Sequence, residues 1–190
     1  MYITDYRDST VDDLSDDLKA RMAHDEGVKL RDLRYWDITH DNGQPIAEEF
    51  GIYWVALDRS PLYIGKCTSL SFVERIGGHL SLGAHHWKNL LLRRHADIWQ
   101  PRSGLVPQDS VETLADAQIG LLHIMRRGMP GDVPRDMLQE ACKDIGRLEK
   151  ALRGALKTPL TPAPPNEAYL AIPLDEALRH VWRLHEAIDA

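Results

Sequence analysis

The chain has 190 residues, 43% of them hydrophobic, which suits one domain with terminal extensions and a sizeable core. Its formal net charge of −6 argues against a uniformly basic nucleic-acid binder, and no apolar run approaches the roughly 20 residues that a bilayer crossing needs. Cys67 and Cys142 lack CxxC or zinc-type spacing and read as reduced thiols of a cytoplasmic protein; the acidic start "MYITDYRDSTVDDLSDD" does not read as a signal peptide.

Residues 9–24 are expected to form a helix. Ser9 or Thr10 would cap it, with Asp12 and Asp13 in the first turn, where the helix dipole favours acids. Residues 28–38 mix short apolar positions with charge, and "HDNGQP" then breaks the chain. Residues 1–49 thus read as an acidic N-terminal extension. Gly51 to Leu57 is rich in β-formers, Asp58-Arg59-Ser60-Pro61 is turn chemistry, and Leu62 to Ile64 resumes a strand that Gly65 ends; together they predict a hairpin. Residues 70–82 have helical spacing, weakened by Gly77 and Gly78 at about 1 kcal/mol each. A second, basic amphipathic helix is expected over 86–96, and a short strand or loop over 97–110. "VETLADAQIGLLHIMRR" (111–127) reads as a helix capped by Ser110, with Glu112 in its first turn and Gly128 and Pro130 at its end.

Beyond it, 134–157 predicts an amphipathic helix and "TPLTPAPP" (158–165) a stiff, extended proline linker. "AYLAIPL" is a strand candidate and 175–188 a last helix, so 131–190 forms a mostly helical C-terminal extension. The expected class is α+β: a small, mainly antiparallel sheet flanked by helices at 70–82, 86–96 and 111–127. The extensions would pack around that core or bind a partner.

Charge is unevenly spread. Residues 63–95 hold Lys66, Arg75, Lys88, Arg93 and Arg94 against Glu74 alone, with His79, His85, His86 and His95 in the same stretch. This basic island is either a solvated face or a phosphate-binding surface. Ahead of it, Gly51-Ile52-Tyr53 is followed about ten residues on by Tyr63-Ile64-Gly65. Arg75 and His79 then stand at i, i+4, on one helix face.

In these features residues 50–130 resemble the GIY-YIG nuclease family, which includes homing endonucleases, the incision module of the bacterial excision-repair nuclease and some restriction enzymes. The resemblance implies hydrolysis of phosphodiester bonds in DNA or RNA, with DNA ahead of RNA as partner, and Mg²⁺ or Mn²⁺ as cofactor. Such a reaction needs a base for water, positive charge for the pentavalent phosphorus, and usually a divalent ion. By resemblance Tyr53 is the general base or its partner, and Tyr63 a second active-site hydroxyl. Lys66 is the cation beside the phenols, and Gly65 a point of close backbone approach. Arg75 forks onto phosphate oxygens. His79 stands where relatives carry His or Tyr. His86, Lys88, Arg93 and Arg94 complete the substrate-binding set. The structural alternatives are tyrosines that fill a hairpin core, a surface ion pair for Arg75 and a packing role for His79.

Family members carry a metal-binding glutamate on a later helix. The apolar positions Leu121 and Leu122 put Gln118 there, and an amide binds Mg²⁺ poorly compared with a carboxylate. A downstream asparagine is replaced by Asp132. Three accounts of Gln118 stand side by side: an introduced Glu→Gln change, a natural non-cleaving relative, or another acid, Glu112 or Asp116, supplying the ligand. The expectation is that residue 118 faces a Tyr53–Arg75 pocket and that Gln118→Glu restores cleavage. The alternative functions are a catalytically silent nucleic-acid-binding module and a protein-interaction subunit whose acidic N-terminal region binds a basic partner.

Overall fold

A computed structural model describes residues 1–41, 44–45, 49–80, 95, 107–126 and 134–188. The helix expected over 86–96 (His95 apart), most of the 97–110 segment, and the site candidates His86, Lys88, Arg93 and Arg94 lie outside the described residues.

Helix α1 (Val11–Ala23) begins where its capping chemistry places it. Thr10 Oγ1 accepts the Asp13 N–H at 3.1 Å, and the Asp13 carboxylate accepts the Thr10 N–H at 2.8 Å. The hairpin is β4 (Glu49–Leu57) and β5 (Ser60–Cys67). Its turn is only Asp58-Arg59, both left-handed at φ 50° and 61°, the two-residue geometry that matches strand twist. Helix α2 (Phe72–Leu80) follows.

The helix expected over 111–127 is not formed. Helix α3 (Pro107–Ala115) stops early, and Gln118–Arg126 is strand β6, antiparallel to β4. Ser110 therefore lies inside α3 instead of capping it, and its hydroxyl meets buried His95 Nδ1 at 2.9 Å. The physical reason is that β6 is covered on both faces, so its apolar residues run without the polar alternation that would betray a strand. Ile119 is buried among one set of core residues, and Leu122 and Ile124 among the other. Gly120 is the point of closest approach: a Cβ there would lie 2.3 Å from the Trp54 indole, which crosses β6 at this residue.

With β1 (Val28–Lys29) the sheet order is β1-β6-β4-β5, antiparallel throughout; β2 (His40–Asp41) and β3 (Gln44–Pro45) form a separate small ribbon. The protein is thus α+β, with helices against a four-stranded antiparallel sheet. One sheet face carries Ile52, Trp54 and Ile64 beneath α1, α4 (Arg135–Ala155) and α5 (Arg179–Ile188). The other carries Tyr53, Val55 and Tyr63 beneath α2, Leu114 and the helical turn Tyr35–Ile38. Each fully buried Leu, Ile or Phe contributes about 1.5–3 kcal/mol, so both terminal regions are integral to the fold's stability.

Two further expectations change. The proline segment lies along the outer edge of β5: Leu160 N–H donates to Leu62 O at 3.2 Å, and Thr161 Oγ1 accepts the Ile64 N–H at 3.3 Å. It thereby covers a strand edge that would otherwise expose unpaired backbone groups. "AYLAIPL" forms no strand; Asn166 caps a helical turn at Glu167–Leu170, with its side chain accepting the Tyr169 N–H.

Candidate active site

Strand alternation decides which predicted residues meet. Tyr53 pairs with Gly65 across β4–β5, and Val55 with Tyr63, so both tyrosines point to the α2 face. A Cβ on Gly65 would sit 2.3 Å from the Tyr53 hydroxyl oxygen and 2.7 Å from the Tyr63 ring. The glycine is needed there because the Tyr53 phenol leans across it. The close approach expected at Gly65 is therefore that of a neighbouring side chain. The two rings stack with centroids 5.8 Å apart and hydroxyls 3.5 Å apart.

Helix α2 brings the next two residues. The i, i+4 spacing puts Arg75 and His79 on the side that faces the hairpin. His79 Nε2 is hydrogen-bonded to the Tyr53 hydroxyl, and its ring lies edge-on to Tyr63, centroids 5.1 Å apart. Arg75 is half-buried near both phenols, and its Nε has no hydrogen-bond partner among the described residues. Tyr53, Tyr63 and His79 are only 1%, 2% and 2% exposed. Burial pushes the Tyr53 phenol well above its ordinary range; Tyr63 adds to this and Arg75 opposes it. Tyr53 is consequently a neutral phenol at pH 7 and not a standing phenolate, with its hydroxyl hydrogen-bonded to His79 Nε2.

Two predicted members are elsewhere. Lys66 pairs with Ile52, on the opposite sheet face from Tyr53, and its Nζ lies against Gly146 of α4. A one-residue step along a strand reverses the side chain, so being adjacent to Gly65 in sequence turns Lys66 away from the phenols. Gln118 is also on that other face, paired with Ala56 at the hairpin-turn end of the sheet. Gln118 does not face the expected Tyr53–Arg75 pocket, because Gln118–Arg126 is a strand and not a helix. Its amide has a different task. Oε1 accepts the Gly27 N–H at 3.0 Å, and Nε2 donates to Asp25 Oδ1 at 2.9 Å. Arg59 Nε donates to the other Asp25 oxygen at 2.9 Å. Gln118 thus ties the α1–β1 loop to β6, and Arg59 extends the link to the hairpin turn. Asp116, an alternative ligand, is paired with Lys29 and Arg31.

The sequence reading missed one pair on the tyrosine face. Glu49 and His123 lie at the far end of the sheet, both buried, with Glu49 Oε2 and His123 Nδ1 2.5 Å apart. His123 is held between Tyr2 (centroids 4.9 Å) and Phe72 at the start of α2 (5.5 Å). The available signal was a lone histidine inside the apolar run of β6, visible only once that run is read with a period of two.

Comparison with protein-family models, curated proteins and solved structures returns no match for this chain.

Proposed function

We propose that this chain is a GIY-YIG-type endonuclease that hydrolyses phosphodiester bonds in DNA or RNA. The observation that carries the reading is the meeting of Tyr53, Tyr63 and His79 with a half-buried Arg75 whose Nε is unsatisfied. A buried guanidinium N–H without an acceptor costs free energy that an incoming phosphate oxygen would restore, and the planar fork suits that anion. Arg75 would hold the phosphate and offset charge as the pentavalent phosphorus forms. The Tyr53 hydroxyl would accept a proton from the attacking water as its own proton passes to His79 Nε2. The water oxygen bonds to phosphorus, the bond to the leaving sugar oxygen breaks, and the imidazolium returns the proton to that oxygen or to solvent. Tyr63 would orient the Tyr53 hydroxyl.

The divalent ion implied by the resemblance does not fit Gln118. Both functional ends of that amide are engaged, and it lies on the wrong sheet face. The mechanism above therefore rests on this chain's own cationic and acid–base groups. A second reading, a catalytically silent nucleic-acid-binding module, is favoured by the near-complete burial of Tyr53, Tyr63 and His79.

The test is incubation of single- and double-stranded DNA and RNA with the protein in Mg²⁺ or Mn²⁺, beside Arg75→Ala and Tyr53→Phe. The nuclease reading expects cleavage that both variants lose. Binding without cleavage supports the silent module. Absence of binding to every nucleic acid removes both readings and favours a protein-interaction subunit.

A further inference from the structure

The largest exposed aromatic surface among the described residues is the helical turn Tyr35–Ile38. Tyr35 is 72% and Trp36 58% exposed, although Trp is a residue that folding normally hides. The turn is held firmly. Asp37 accepts the Arg34 N–H at 2.8 Å, and Thr39 Oγ1 donates to Tyr35 O at 2.7 Å. Ile38 is buried in the same apolar cluster as Tyr53, Tyr63, Phe72 and Ile76. The turn also packs on α2, the helix that carries Arg75 and His79. The Trp36 ring lies flat on His40, centroids 3.6 Å apart and planes 3° from parallel. His40 Nδ1 is fixed in turn by Thr39 Oγ1 at 2.9 Å. Exposed Arg34 stands at the entrance to the turn. A rigid indole, backed on one side by His40 and open to solvent, two residues from exposed Arg34 and on a turn that packs against the helix carrying Arg75, matches the face of a planar base attached to a phosphodiester.

We infer that Trp36, with Tyr35 beside it, is a stacking platform for an unpaired nucleobase of the strand held at Arg75. The preferred substrate is then single-stranded or splayed nucleic acid, because a base inside a duplex has both faces occupied by its neighbours. The inference rests on the nucleic-acid reading above and names its substrate class. Stacking gives affinity with little sequence preference, since every base has a π-face.

The test is fluorescence anisotropy with a labelled single-stranded oligonucleotide and a blunt duplex of the same sequence. The proteins are the unaltered chain, Trp36→Leu, Trp36→Phe and Arg75→Ala, each checked for an unchanged melting temperature. Trp36→Leu should weaken single-strand binding by about 5- to 150-fold, the range for one lost base–aromatic stack. It should leave duplex binding and the salt dependence unchanged, and Trp36→Phe should retain most of the affinity. Arg75→Ala should weaken both ligands and flatten the salt dependence. Equal single-strand affinity for Trp36→Leu and the unaltered chain overturns the platform while leaving the Arg75 reading intact. Duplex binding without single-strand binding also overturns it. No binding of either ligand by the unaltered chain defeats the nucleic-acid reading itself.

Discussion

Replacing Gln118 by glutamate separates the sequence expectation from the folded arrangement. If residue 118 faced a phosphate pocket, the carboxylate would gain a metal and activity. In the fold it gains a clash of charge. The Gln118 Nε2 donor to Asp25 is 2.9 Å from a carboxylate oxygen, and glutamate puts a second carboxylate oxygen in its place. Loss of a hydrogen bond to a charged acceptor costs about 1.5–3 kcal/mol. Repulsion adds on the order of 1 kcal/mol, kept low because the Asp25 side chain is 42% exposed and Arg59 holds its other oxygen. The bond from Gly27 survives. A loss of about 2–4 kcal/mol lowers the melting temperature of a chain this size by roughly 4–16 °C. The new carboxyl, facing Asp25, would have its folded pKa raised above the unfolded value of about 4.3. Its contribution is then fully present below about pH 4.3 and lost as pH rises through the folded value. Thermal melts followed by circular dichroism should therefore show variant and parent close together at pH 4 and well apart at pH 7. Equal melting temperatures at pH 7 would refute the reasoning. So would Mg²⁺-dependent stabilisation with cleavage, since that requires residue 118 to reach the Tyr53–Arg75 cluster on the other sheet face.

Gly65→Ala should cost about 1–3 kcal/mol in urea unfolding and alter the near-ultraviolet tyrosine signal, because its Cβ lies 2.3 Å from the Tyr53 hydroxyl oxygen; an unchanged spectrum would contradict the packing described. Burial pushes the Cys67 thiol and the Tyr169 phenol up to about 12; for Tyr6, also about 12, burial leads and the Asp17 hydrogen bond and charge add to it. Neutral forms with raised folded values stabilise fully below the unfolded pKa of 9.0 or 10.0 and lose that contribution as pH climbs towards 12. Denaturant midpoints should hold to about pH 8.5 and then decline, less steeply in Tyr169→Phe. Asp144→Ala should lose at least about 2 kcal/mol, since this buried carboxylate accepts from the His180 N–H and Nδ1 at 3.0 Å and from Arg147 at 3.1 Å. Denaturant unfolding measures it, and a loss below about 0.5 kcal/mol would mean that the α4–α5 contact does not depend on the pair.

Local chemistry fixed by near neighbours was legible in the sequence. The Thr10–Asp13 cap needs residues three apart, the hairpin needs alternating β-formers around a turn, and the Arg75/His79 face needs only the helical repeat. Those same signals brought Tyr53, Tyr63, Arg75 and His79 together on paper. What the sequence could not decide was the period of "QIGLLHIM". An apolar run buried on both faces looks the same as a helix or as a strand, and the open edge of β4 settles it. That single choice moved Gln118 across the sheet and brought His123 to the tyrosine face beside Glu49. Strand parity likewise turned Lys66 towards α4, since side-chain direction depends on register and not on proximity along the chain. The proline segment reads as a linker by composition, yet Leu160 and Thr161 lie on the β5 edge because that edge has backbone groups to satisfy, a demand made by another part of the chain.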